Sequence, residues 1–270
     1  MFNRLDFLTK KAAWVWRETL AIHKRAPETR IASSLSPIEI FVTLYYGNII
    51  RHFPDHPLNN DRDRLIISKG HGSICMYPIL ADLGYFSNDE LLKVCHTGGF
   101  LGGIPDPVIP GYETVNGSLG HGLGVAAGIA LGLKRSSRSQ DVFVLCGDGE
   151  LHEGSNWEAI MFASHHHLDN LTLIVDNNSI SMLGRTADIV DHCDLSKRFE
   201  AFNWNVYSVD GHVIYDLNKV FREAKLFRQG QPKVVIAKTI KGRGVPGLEN
   251  AQLSHIMGAN AEILDFLLER

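Results

Sequence analysis

The sequence has only four cysteines, at positions 75, 95, 146 and 193, and no CxxC pair among them. A disulfide or zinc framework is therefore not expected, and the residues read as free thiols in a reducing cytoplasm. No stretch approaches the roughly 20 consecutive apolar residues of a membrane-spanning helix. Long basic runs are missing too, and the net charge is −3, so nothing directs the chain to nucleic acid or an anionic membrane surface. The opening MFNRLDFLTKKAAWVWRETL carries an acid and no cleavable apolar core, so a signal peptide is not expected. There is no internal repeat and no compositional break that would mark a linker.

What is present suffices for a sizeable core: 44% of the 270 residues are apolar and 21% are charged. Helical and strand patterns alternate. Residues 4–24 read as a helix with Leu5, Leu8, Ala12, Val15 and Thr19 along one side. Ser36-Pro37 reads as the N-cap and first position of a second helix. Strands are predicted at 64–68, 142–146, 171–176, about 204–209 and 233–240, with helices over 119–134, 155–166, 213–228 and 261–269. Residues 96–117 are rich in glycine and proline and read as loop. Continuous Val/Ile/Leu strands alternating with helices predict an α/β fold, a mostly parallel sheet covered by helices on both faces. One domain spanning 1–270, with an N-terminal helical extension, is the simplest organisation.

In such sheets ligands sit beyond the carboxyl ends of the strands. Three strand ends carry suitable chemistry. Gly147-Asp148-Gly149 places a carboxylate between two glycines that let a ligand approach the backbone. Asp176-Asn177-Asn178-Ser179-Ile180 offers amide and carbonyl oxygens. Asp148, Asn178 and one backbone carbonyl form a hard oxygen set suited to Mg²⁺ on a diphosphate. Lys69-Gly70-His71-Gly72 presents a histidine on a glycine turn. Taken singly, each is more often a tight turn, a cap or a solvated histidine. Their occurrence at successive strand ends of one sheet is what points to a site.

These segments carry a resemblance. GDGELHEGSNWEA with the later NLTLIVDNNSI resembles the thiamine-diphosphate signature of the transketolase family. SKGHG at 68–72, NGSLGHGLGVAAGIALGLK at 116–134 and KTIKGRGVPGLENAQLSH at 238–255 are similar to the same family in the same order. The resemblance covers nearly the whole chain and corresponds to the family's diphosphate-binding domain. It implies that Asp148 and Asn178 bind Mg²⁺ through side chains and Ile180 through its carbonyl. It implies that the Gly149 and Gly117 backbone contacts the diphosphate of thiamine diphosphate. Leu119 and Met182 would lie against the cofactor rings, and His71 and His255 would line the diphosphate and the channel. Glu153 and Glu158 would sit at a subunit interface linking two cofactor sites, while Glu150 receives no role and is expected to face solvent.

The family's activating glutamate lies on a pyrimidine-binding domain that this sequence does not contain. The resemblance thus implies a separate partner subunit carrying it, in an α2β2 heterotetramer, with this chain inactive alone. Arg30 and Ile104 stand where the family usually has histidines that contact the donor. Arginine suits an oxyanion, and isoleucine removes a hydrogen bond to a donor hydroxyl. Ordinary two-carbon ketol transfer from a ketose phosphate and transfer from a less hydroxylated keto acid or modified sugar both stay open. So do two other readings, a diphosphate-binding subunit of a 2-oxoacid decarboxylase or dehydrogenase and a non-catalytic cofactor-binding homologue. Lys241-Gly242-Arg243-Gly244 reads as a mobile loop near His255. Trp14 and Trp16 are expected to pack on the core or on a partner.

Overall fold

A computed structural model describes residues 2–269. Five parallel strands form one sheet in the order β1-β2-β3-β5-β4. Helix α1 (Phe2–Arg25) leads into the short α2 (Ile31–Leu35), α3 (Ile38–Tyr46) and β1 (Arg64–Ile67). Helices α4 (Met76–Asp82) and α5 (Gly122–Arg135) then flank a long loop, and β2 (Val142–Gly147) follows. Next come α6 (Gly154–His165), β3 (Leu171–Asn177), α7 (Thr186–Ile189), α8 (Leu195–Ala201) and β4 (Asn205–Asp210). The chain closes with α9 (Ile214–Leu226), β5 (Lys233–Lys238) and α10 (Ala261–Glu269).

Period-two alternation splits the central strands between two cores. Phe143, Leu145, Ile174 and Val235 face α1, α3, α4 and α9. Val142, Val144, Cys146, Leu173 and Val175 face α5, α6 and α8. Both faces of β2 are fully buried, which is why it reads as an unbroken apolar run. The edge strand β4 is only half-buried. This is the expected α/β architecture. No helix among the described residues is long and apolar enough to cross a membrane.

Several details differ from the sequence reading. Helix α5 begins at Gly122, because residues 116–121 turn beneath it and Gly122 abuts Ser68 too closely for any side chain: a Cβ would lie 2.5 Å from Ser68 Cβ. Ser36 does not cap α3; its hydroxyl donates to Asp176 Oδ2 at 2.7 Å instead. The short helices α2, α4, α7 and α8 have too few turns to show a helical period, and only packing defines them.

Candidate active site

The strand register sets the site. Gly147 pairs with Asp176 and Asn177 with Lys238, so the ends of β2, β3 and β5 finish level. Asp148 emerges from β2 and is nearly fully buried. Its Oδ2 accepts the Ser179 N–H at 2.6 Å, and its backbone is held by the Asp148 N–H to Asp176 O bond at 3.2 Å. Ser179 adopts a left-handed φ of 63°, a strained conformation at the turn that follows β3, where its N–H meets Asp148. Asn178 is buried and its Oδ1 accepts the Ile180 N–H at 3.2 Å. Gly149 lies so close to Ser181 that a Cβ would meet Ser181 Cβ at 2.9 Å.

Burial pushes the Asp148 carboxyl up to about 6, with the neighbouring Asp176 adding to the rise. No lysine or arginine forms an ion pair with Asp148 among the described residues. A buried carboxylate without an ion-pair partner, the Asn178 amide oxygen and the Ile180 carbonyl thus lie on the linked ends of β2 and β3, and oxygens of this kind fit a hard cation such as Mg²⁺. The Lys241 ammonium lies close by and donates to Ile180 O at 2.9 Å.

Cationic and imidazole groups line the other side. The His71 and His255 rings are 4.7 Å apart. Lys241 Nζ is 3.3 Å from His255 Nδ1, so Nδ1 accepts and the ring proton sits on Nε2. Burial first, then Lys241, Arg30 and Lys69, lowers His255 to about 4. Burial, Lys69, His255, Lys241 and Arg30 hold His71 well below the usual histidine range. Burial, then Lys69, brings Lys241 down to about 8. Such a neutral-histidine, lysine-rich wall is suited to oxyanions.

Beneath the site lies a network the sequence reading did not assign. Lys69 Nζ forms a buried ion pair with Asp176, which also accepts from Ser36 Oγ and Thr239 Oγ1. Burial raises the Asp176 pKa, but Lys69 and the two hydroxyls outweigh it and hold the group ionised. Both members were visible in the sequence, as the lysine before Gly70-His71 and the first acid of Asp-Asn-Asn. Nothing in the sequence said that they meet.

Glu150 is a correction. It is buried, not solvent-facing, and accepts from Ser68 Oγ, from the Gly120 N–H at 2.9 Å and from the Gly147 N–H at 3.2 Å. It fastens the ends of β1 and β2 to the turn before α5. The 241–244 segment is also tied down instead of lying free. Gly242 N–H donates to Ala32 O at 3.0 Å, Trp16 Nε1 to Arg243 O at 2.9 Å, and Gly244 N–H to Glu249 Oε1 at 2.6 Å. Trp16 thereby finds its role against that segment, within this chain.

The remaining predicted residues spread outward. Gly117, at φ +121°, presents its backbone in open space, and Leu119 is half-buried in the following turn. Met182 is 56% and Ile104 is 50% exposed at the rim. Arg30 is exposed at the start of α2. Glu153 and Glu158 are exposed at the start and on the outer side of α6, away from the oxygen cluster. A cavity of about 680 Å³ lined by Trp16, Glu39 and His212 lies between α1 and α9, and another of about 610 Å³, lined by Asn177, Ser179, Asp210 and Lys238, lies at the ends of β3, β4 and β5.

Parallel strands ending level, with oxygen donors on one side and lysines and histidines on the other, define a class: an α/β protein whose carboxyl sheet edge carries groups suited to an anion and a hard cation. Residues 30–263 match the family described as "Transketolase, thiamine diphosphate binding domain". The chain belongs to the transketolase family, and the cofactor of its domain is thiamine diphosphate. It is similar to an apulose-4-phosphate transketolase subunit of Actinobacillus succinogenes, 37% identical over 267 residues, covering 98% of this chain and 95% of that protein. It is 40% identical over 227 residues to transketolase of Homo sapiens, covering 83% of this chain but only 35% of that protein. Transketolase from Campylobacter jejuni superposes with a TM-score of 0.89 at 31% identity, over 97% of this chain and 42% of that one. The chain thus spans about a third of the longer relative and nearly all of the shorter one.

Proposed function

We propose that this chain is the diphosphate-binding subunit of a split transketolase-like transferase, with residues 1–270 forming one such domain. In this reading it works with a separate subunit that carries the pyrimidine-binding domain, in an α2β2 assembly. The observation that carries it is the coverage: the chain matches 95% of a relative whose name makes it one subunit of a transketolase, and 35% of the human protein. The family match sets aside the 2-oxoacid decarboxylase alternative.

Asp148, Asn178 and the Ile180 carbonyl would hold Mg²⁺. The Gly149 and Gly117 backbone, with Lys241, would meet the diphosphate, and Leu119 and Met182 would lie against the rings. Bound thiamine diphosphate supplies a carbon nucleophile able to carry a ketol unit from donor to acceptor. The chain's own contribution is binding and proton placement. His255 presents Nε2–H while Lys241 occupies Nδ1, and His71 stays neutral beside it, so the pair can give and take hydrogen bonds without adding charge. Glu153 and Glu158 would meet another chain across α6.

Calorimetric titration of thiamine diphosphate with Mg²⁺ into this chain and its partner tests the reading. Saturable binding in the wild type and its loss, by at least about 100-fold, in Asp148→Ala are expected. Absence of saturable binding in the wild type would overturn it. Turnover by that complex on a panel of donors, including pyruvate and ketose phosphates, separates a catalytic subunit from a non-catalytic cofactor-binding homologue.

A further inference from the structure

Arg30 stands between the two segments that supply the histidine pair. Helix α2, which it opens, touches the Gly70–Gly72 turn so closely that a Cβ at Gly72 would lie 2.7 Å from Ser33 O. On its other side α2 accepts the Gly242 N–H at Ala32 O, which ties down the segment leading to His255. The Arg30 guanidinium is exposed and makes no hydrogen bond or ion pair among the described residues, although it acts on both His71 and His255.

The cations are graded along the site. Lys241 acts on Asp148 and on His255, so it serves an anion lying at the oxygen triad. Lys69 is consumed by Asp176. Arg30 acts on His255 after Lys241 and, more weakly, on His71, and it is not among the leading influences on Asp148. A diphosphate placed at Asp148 and Gly149 accordingly leaves Arg30 without an anion. Ile104 flanks the same glycine turn, with its Cγ2 3.5 Å from the place a Gly70 Cβ would take, and offers an apolar wall with no hydrogen-bonding group.

We infer that Arg30 is a specificity-determining anchor for an oxyanion of the substrate, a phosphate ester or a carboxylate, held beside the His71–His255 pair. This rests on the cofactor reading above. A guanidinium matches either oxyanion through paired N–H donors, and the apolar Ile104 side disfavours a hydroxylated carbon there.

The test uses the complex of this chain with its partner, loaded with thiamine diphosphate and Mg²⁺, and compares wild type, Arg30→Gln and Arg30→Lys. Donors are a ketose phosphate, the same ketose without phosphate, and pyruvate. Arg30→Gln is expected to raise KM about 10- to 100-fold for one ionic donor, with kcat changed far less. The unphosphorylated ketose should shift by less than about threefold, and Arg30→Lys should restore part of the loss. The ionic donor affected identifies the phosphate or the carboxylate as the ligand. Inorganic phosphate, used as a competing probe, should inhibit the wild type and lose potency in Arg30→Gln if the group is a phosphate. Equal loss on charged and uncharged donors, with cofactor affinity intact, would overturn the anchor and leave the cofactor reading standing. A drop in thiamine diphosphate affinity in Arg30→Gln would also overturn it, by moving Arg30 to the cofactor. Failure of the cofactor reading shows separately, as no saturable cofactor binding in the wild type.

Discussion

Asp148 shows at a single residue how function opposes stability. The folded carboxyl has a pKa of about 6 against an ordinary 3.8, so the folded state binds more protons between these values. Stability contributed by the protonated form is present below pH 4 and is lost as pH rises through about 6. Asp148→Asn keeps an oxygen for the Ser179 N–H and removes the buried charge. Above pH 7 it should stabilise the cofactor-free chain by roughly 1–3 kcal/mol, an advantage that vanishes near pH 4. Denaturant melts at the two pH values check this, and an equal effect at both would contradict it. His71 and His255 have the opposite sign of charge and a matching logic. Their pKa values lie below the unfolded 6.5, so their neutral burial costs stability only as pH falls below about 6.5, for His255 down to about 4.

Among the secondary elements, two ties decide whether the strand ends stay assembled. Glu150 joins β1, β2 and the turn before α5 through one carboxylate. Glu150→Ala strands two buried N–H groups and should cost about 3 kcal/mol of unfolding free energy. Urea unfolding measures it, and a cost below about 1 kcal/mol would mean that water replaces the carboxylate. The second tie is Trp16. Its indole donates to Arg243 O and closes over Gly244, whose φ is +80°. Trypsin should cut after Arg243 slowly in the wild type and several-fold faster in Trp16→Ala, with Trp16→Phe intermediate because it keeps the ring and loses the N–H. Equal cleavage in all three would show that the segment opens independently of α1.

For the whole molecule, the outer side of α6 and its neighbour α5 carries exposed apolar side chains beside small residues. Met161 is 50%, Phe162 40% and Val125 43% exposed, and Gly124, Gly128 and Gly132 leave open space around them. Glu158 shares the stripe with Met161 and Phe162 at helical spacing. In the proposed assembly this is the face that another chain covers. Phe162→Asp should leave the thermal midpoint within about 2 °C, since the ring is already exposed, and should abolish co-elution with the partner. Retained co-elution at micromolar concentration would place the interface elsewhere.

The sequence by itself determined the parallel α/β architecture, because β2 and β3 are continuous apolar runs that only a doubly covered sheet can bury. It also singled out Asp148, Asn178, Ile180, His71 and His255 as candidates, since each sits where a segment ends in glycine or a turn; their roles toward metal and cofactor belong to the proposed function. What local pattern does not encode is which ends meet. Only tertiary structure brought Lys69 onto Asp176 across 107 positions, turned Ser36 from a helix cap into a donor to that acid, and buried Glu150 among backbone N–H groups. The physical reason is the same in each case. A polar side chain's role depends on the partners that satisfy it once water is excluded, and those partners come from strands and helices far away in the chain.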